Sequence, residues 1–327
     1  MSEALVNKIT ERWRPRIEEE LDAAFPAEQH PHLNNAIRYH LATGGKRIRP
    51  VMCLLTCEQL GGEAERAVPF AVAAEILHNM FLLHDDVEDG DTVRRDRPTV
   101  WAEYGVANAV NCGDYMLARA YRVLADAYPG NASVFDLFTE TLERTIEGQA
   151  LDINLRGPEH LSIEEYVRIT ELKTGYYLGF TMTGGAIIAG AARDVRSNLA
   201  RLGRLLGPAF QIRDDIIDLT EGKGRGGMLG CDIREGKPSM LLASALAHCT
   251  LEEQSRLVGI MRKPREETTK DDVEWVIDLF NKYDALGFAQ RYADDLIDQA
   301  LHITDHVPFK DPEVIRSFFR HLSRRKA

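Results

Sequence analysis

The sequence predicts an all-α protein organised as one domain. Apolar residues recur at helical spacing in one stretch after another, glycines and prolines separate those stretches, and no stretch alternates apolar and polar residues as a half-buried strand does. The chain has 327 residues, long for one ordinary domain without forcing two.

Val6–Phe25 is amphipathic, with Pro15 as a kink point. Leu33–Ala42 forms the next helix and stops at Gly44 and Gly45. Lys46, Arg47 and Arg49 then feed the helix Val51–Leu60, and a basic turn running into a helix suits an anion. Gly61 and Gly62 end it. Pro69–His84 follows, its apolar run Ala71–Leu83 leading directly into three aspartates. Val106–Ala127 ends at Pro129 and Gly130, and Ser133–Leu151 holds Gly148 and Gln149 before Gly157 and Pro158 break the chain. Ser162 with Glu165 three residues on is a capping box, and the helix it opens runs into Lys173, Thr174 and Gly175. Ala186–Ala192 is short and rich in Gly and Ala, which suits close helix packing. Val195–Leu219 ends on a second aspartate group. Gly222–Gly230 reads as a glycine-rich lid. Pro238–Ala247, Leu251–Met261, Thr269–Tyr283, Leu286–Leu301 and Pro312–Leu322 complete the helices.

Composition narrows the function. Hydrophobic residues at 44% and charged residues at 28% are ordinary for a globular protein. A net charge of −11 argues against nucleic acid or an anionic membrane surface as the main partner. The odd count of five cysteines points to a reducing, cytoplasmic setting. Cys53 and Cys57 lack a second ligand pair at zinc spacing and read as core residues. The charged N-terminus has no apolar signal core, and no run of 18 apolar residues suggests a transmembrane segment.

The chemistry lies in the acidic groups. Asp85, Asp86 and Asp89 form an Asp-Asp-x-x-Asp set at the end of an apolar helix. Positions four apart share a helix face, so Asp85 and Asp89 point the same way. Carboxylates are disfavoured at a helix C-terminus, where the dipole is already negative. A cation should offset them, and magnesium prefers hard oxygen ligands shared with substrate phosphates. Arg94 and Arg95 follow as fixed charges suited to phosphate oxygens. Asp214, Asp215 and Asp218 repeat the spacing, again with basic residues downstream. Facing one another across a helical cavity, the two sets would clamp one diphosphate through magnesium. Two other motifs fail. A calcium loop on Asp85–Gly90 would put Val87 at position three and Asp96 at position twelve. Gly230–Ser239 has five residues between its glycines where a phosphate loop has four, and Pro238 where magnesium needs a hydroxyl. Neither Gly-x-Ser-x-Gly nor His-Glu-x-x-His occurs.

Together with GGKRIRP (Gly44–Pro50), the two aspartate sets make the sequence resemble the trans-isoprenyl diphosphate synthases, or polyprenyl synthetases, over most of the chain. The resemblance implies the isoprenoid synthase fold, a bundle of antiparallel helices around a central catalytic cavity, and a homodimer. It implies condensation of isopentenyl diphosphate with an allylic diphosphate (dimethylallyl, geranyl or farnesyl). Three magnesium ions would be held by Asp85, Asp86, Asp89, Asp214, Asp215 and Asp218. Gly45, Lys46, Arg49, His78 and Arg95 would hold isopentenyl diphosphate. Lys173, Thr174 and Lys237 would contact the allylic diphosphate, with Arg94 and Lys173 adding fixed positive charge and Gln211 lying beside the reacting carbons. Arg324, Arg325 and Lys326 match a basic tail that helps close the site. Three positions depart from the family pattern: Met228 stands where Lys is common, with Lys223 or Arg225 as substitutes, Asp96 where Gly is usual, and Ser239 where Thr is usual.

Two rivals remain at this stage. A class I terpene cyclase usually has an Asn/Ser/Glu pattern at its second metal site, and the second triad here favours elongation. A silent partner subunit typically loses aspartates, and none is lost. A chain growing away from Asp85 down its helix meets Phe81 and Met80 one turn back and Leu77 two turns back. The resemblance implies that an aromatic residue there limits the product to a short chain, geranylgeranyl before farnesyl diphosphate, with longer chains as the alternative.

Overall fold

The computed structural model describes residues 2–220 and 229–323. It is all-α apart from one small hairpin. The helices, in order, are α1 (Ser2–Ala24), α2 (Pro31–Leu41), α3 (Ile48–Gln59), α4 (Ala64–Glu88), α5 (Val100–Tyr104), α6 (Val106–Ala127), α7 (Ala132–Asn154), α8 (Ile163–Thr170), α9 (Tyr176–Ile188), α10 (Arg193–Thr220), α11 (Cys231–Arg234), α12 (Met240–His248), α13 (Leu251–Met261), α14 (Lys270–Lys282), α15 (Ala285–Ile303) and α16 (Pro312–Ser323). A π-helical turn, Glu171–Gly175, joins α8 to α9. Strands β1 (Val93–Arg94) and β2 (Arg97–Pro98) pair antiparallel between α4 and α5.

Most boundaries fall within a few residues of expectation. α4 is the main exception at its start. Pro69 reads as an opening residue, but the helix begins at Ala64 and Pro69 lies inside it. The hairpin, α5, α9, α11 and the π-helical turn are the other differences. Two-residue strands are too short to show alternation, so only the turn could have announced them. Arg95 and Asp96 have φ of 53° and 61°. Positive φ at both central residues is the signature of a tight I′ hairpin turn. The glycine usual at position 96 is thereby explained, and Asp is one of the few side chains that tolerate this conformation.

The described residues divide into two compact units. The first comprises Met1–Thr139, Phe180–Leu199 and Thr304–His321. α4 is its central helix, with α1, α3 and α6 packed against it. Its Phe70, Ala71, Ala73, Ala74, Ile76 and Leu77 are fully buried. α4 is long and apolar enough to cross a bilayer by length and composition, and 72% of its apolar window is buried inside the protein. Near its start the Phe70 ring lies 4.8 Å from Phe180, and Phe180 lies 6.3 Å from Phe138. Cys53 and Cys57 are buried and unpaired, as expected of core residues.

The second unit comprises Glu140–Gly179, Ala200–Ile303 and Leu322–Ala327. Its core gathers Ile212, Leu241, Leu242, Leu257, Val276 and Ala289 from α10 and α12–α15. α8 carries the expected capping box, Ser162 with Glu165. Beyond it, Gly175 and Gly179 lie against Gly207 and Gly203 of α10 so closely that a Cβ on either α10 glycine would strike the opposing backbone.

Candidate active site

In the first unit, Asp85 and Asp86 occupy the last turn of α4 and Asp89 caps it. Their charge at the negative end of the helix is offset by Arg94 from the hairpin. Arg94 Nε lies 2.5 Å from Asp86 Oδ1, and Nη2 lies 3.6 Å from Asp85 Oδ2. Asp86 is 1% exposed. Burial pushes its carboxyl up to about 6 despite the opposing pull of Arg94. Its Oδ2 is buried with no hydrogen-bond partner.

The basic turn before α3 divides its three cations. Arg47, in the left-handed region at φ 48°, turns inward. It pairs with Glu18 at 2.8 Å and Glu75 at 2.9 Å, and it is 2% exposed. Lys46 stays exposed. Arg49 reaches α4, its Nη1 3.1 Å from His78 Nε2. A guanidinium only donates, so Nε2 accepts and His78 is the neutral Nδ1–H tautomer. Burial, then Arg49, Arg95 and Arg94, hold its pKa well below the usual histidine range. Arg95 donates to the Gly44 carbonyl and to Thr43 Oγ1. A Cβ on Gly45 would sit 3.3 Å from the Arg95 guanidinium, so the bare loop lets that cation approach. The first unit thus gathers Gly45, Arg49, His78, Arg94 and Arg95. Behind them His40 is 2% exposed, its pKa lowered to about 3 by burial and then by Arg94 and Arg95.

In the second unit, α10 carries Gln211 and the second acidic set. Asp214 is exposed, whereas Asp215 and Asp218 are buried. Tyr166 donates its hydroxyl to Asp215 Oδ2 at 2.6 Å, and Gln211 Nε2 donates to Oδ1 at 3.2 Å. Asp218 Oδ2 accepts the Asp232 backbone N–H at 3.0 Å, which docks the start of α11 onto the acidic set. Asp215, Asp218, Asp232, Lys237 and Ser239 line one small cavity with Leu241 and Phe280. Lys237 Nζ lies 2.7 Å from Glu235. Ser239 caps α12 by accepting the Leu242 N–H at 3.1 Å, so the substitution for Thr keeps a capping hydroxyl. Lys173 and Thr174 sit in the π-helical turn, and Lys173 Nζ lies 2.9 Å from Asp152 of α7.

Sequence reasoning did not single out Tyr166, Asp152, Asp232 or Glu235. Asp152 lies three residues after Gln149, and Tyr166 seven before Lys173, but without partners in space each reads as an ordinary helix residue. Of the chain-length candidates, Leu77 and Met80 are buried and Phe81 is half-buried. Lys223, Arg225, Met228, Arg324, Arg325 and Lys326 lie outside the described residues.

Among the described residues no three acidic, histidine or cysteine side chains close into a ligand set on their own. Magnesium does not require one, since it typically binds through one or two carboxylates together with substrate phosphates. The buried, unpartnered oxygen of Asp86 and the exposed Asp214 are hard donors of the right kind, so the residues fit the ion.

All-α architecture, paired aspartate sets and adjacent cations define a class that handles diphosphates. The chain matches the polyprenyl synthetase family over residues 30–280 and belongs to it. It is 35% identical over 275 residues to the geranylgeranyl diphosphate synthase of Saccharolobus solfataricus, covering 81% of this chain and 82% of that one. It is 32% identical over 290 residues to the geranylfarnesyl diphosphate synthase of Aeropyrum pernix, covering 86% and 89%. The crystal structure of geranylgeranyl pyrophosphate synthetase from Pyrococcus horikoshii superposes with a TM-score of 0.90 at 31% identity, covering 99% of both chains.

Proposed function

We propose that the protein condenses isopentenyl diphosphate with an allylic diphosphate to give a short trans-prenyl diphosphate, geranylgeranyl diphosphate, acting as a homodimer. The observation that carries this reading is that each unit holds an Asp-Asp-x-x-Asp set at the end of a long helix with a cation beside it: Arg94 in the first, Lys237 in the second. Family membership supports the same reaction.

The allylic carbon–oxygen bond breaks, the isopentenyl double bond attacks the resulting cation, and a proton leaves to the departing diphosphate. Asp85, Asp86, Asp89, Asp214, Asp215 and Asp218 are the residues for magnesium, three ions in all. When bound, the metal offsets the negative charge of the leaving group. Arg94 and Lys173 add fixed charge at the same group. Gly45, Lys46, Arg49, His78 and Arg95 hold isopentenyl diphosphate, while Thr174 and Lys237 bind the allylic diphosphate and Gln211 lies beside the reacting carbons. Neutral His78 adds no charge and leaves the anion to the guanidinium groups. Apolar surroundings exclude water, which would quench the cation.

The test is turnover of the purified protein with isopentenyl diphosphate and each allylic primer, with products read by mass spectrometry. Asp85→Ala and Asp214→Ala are each expected to lower turnover by about 10²–10³ or more, the usual effect of losing one charge-stabilising group. Near wild-type activity in either variant at saturating magnesium removes the reading.

A further inference from the structure

Among the contacts that join α10 to the segment running from α8 to α9, three fix the register. Gly179 meets Gly203, Gly175 meets Gly207, and Tyr166 meets Asp215. The segments run antiparallel. Gly207 and Asp215 are eight residues apart, whereas Tyr166 and Gly175 are nine apart. Two uninterrupted α-helices could not make both contacts in step. A π turn, bonded i to i+5, admits one extra residue into a helix. Glu171–Gly175 is such a turn and lies inside the nine-residue interval. It also carries Lys173 and Thr174. The Lys173 backbone abuts Gly148 of α7, and its ammonium group meets Asp152 one turn further along α7.

We propose that Tyr166 is a positioning residue for the second aspartate set. Its hydroxyl fixes the Asp215 carboxylate, and the extra residue of the π turn supplies the register that allows this while presenting Lys173. Tyr166 is 1% exposed, so its hydroxyl serves this partner and not a substrate. The inference rests on the reading that the second set and Lys173 handle a magnesium-bound diphosphate.

Tyr166→Phe deletes the hydroxyl and keeps the ring. The purified variant is titrated with inorganic diphosphate in excess magnesium by calorimetry, and its activity is followed against magnesium concentration. Both the dissociation constant and the half-activating magnesium concentration are expected to rise about tenfold or more, the typical effect of losing a hydrogen bond to a charged group. The KM for isopentenyl diphosphate, whose residues belong to the first unit, is expected to stay the same. A second variant closes the argument. Asp215→Asn removes a proposed ligand as well as this partner and should lose more, and the double variant should lose no more than Asp215→Asn alone, since the hydroxyl acts only through that carboxylate. Unchanged diphosphate binding in Tyr166→Phe overturns the proposal. So does full additivity in the double variant, or an equal rise in the isopentenyl KM, which would mark general loosening of the fold. Wild-type turnover in Asp214→Ala would instead overturn the functional reading.

Discussion

His40 shows how burial sets the charge of a single residue near the hairpin arginines. It is 2% exposed, and its pKa falls from 6.5 to about 3 through burial and then the nearby Arg94 and Arg95. Because the folded pKa lies below the unfolded one, His40 contributes stability above pH 6.5 that drains away as pH falls towards 3. Unfolding releases a histidine that takes up a proton, so acid favours the unfolded chain. Each pH unit in this window is worth about 1.4 kcal/mol, and the whole shift no more than about 5 kcal/mol. Urea unfolding at pH 7 and pH 5 should show a loss of about 2 kcal/mol from this source, much of it absent in His40→Gln. His78 shifts in the same direction and adds to the slope of the wild type. An identical pH dependence in His40→Gln would mean that the buried imidazole does not control acid sensitivity. None of this was legible beforehand. His40 looks like any polar residue on an amphipathic helix until α4 and the hairpin arginines are packed around it.

Among the elements, those with local signals are legible in the sequence. Ser162 and Glu165 announced α8, Leu251–Met261 was bounded correctly, and the aspartates do end α4. Elements whose cause lies elsewhere in the chain were not legible. The π turn answers a register demand set by α10, and the hairpin is declared only by two positive φ values. The basic turn before α3 lies between these cases. Sequence placed three cations there, but only packing against Glu18 and Glu75 shows that Arg47 is structural and Lys46 outward. Lys46→Ala is therefore expected to raise the KM for isopentenyl diphosphate and spare the allylic substrate. Lys173→Ala, in the π turn, should affect the allylic KM and turnover. Steady-state kinetics with each substrate varied in turn separates them, and an unchanged isopentenyl KM in Lys46→Ala would refute the assignment of that loop. Arg47→Met should instead lower the melting temperature, because it strands Glu75 in the core without its cation.

For the molecule as a whole, the expected all-α class holds, and the similarity to a solved relative extends over 99% of the chain. The contacts gather the described residues into two compact units. The surface offers a further whole-molecule expectation. Val106, Val110 and Tyr121 of α6 are 51%, 41% and 50% exposed, and their spacing aligns them along one side of the helix. These apolar side chains, with the exposed Asp114 between them, suit the interface with a second copy of the chain. Light scattering is expected to report a dimer for the unaltered protein and a monomer for Val110→Asp/Tyr121→Asp, and a dimer that persists in the variant would place the interface elsewhere.

If the product grows along α4, the aromatic contact near the start of that helix would make it a ruler. Phe70 lies eleven residues before Phe81, about three turns along the same face. One turn is close to the length of an extended five-carbon unit. A chain following α4 would therefore have two stops, Phe81 near the aspartates and Phe70 with Phe180 deeper in the first unit. Removing the first stop should not release growth without limit. Phe81→Ala is expected to give a ladder of longer products with a sharp ceiling about three units up, and Phe81→Ala/Phe70→Ala should lift that ceiling. Met80→Phe should shorten the product. Chromatography of the dephosphorylated alcohols reads the spacing directly, and a smooth tail with no ceiling in Phe81→Ala would mean that length is set by release rate and not by depth.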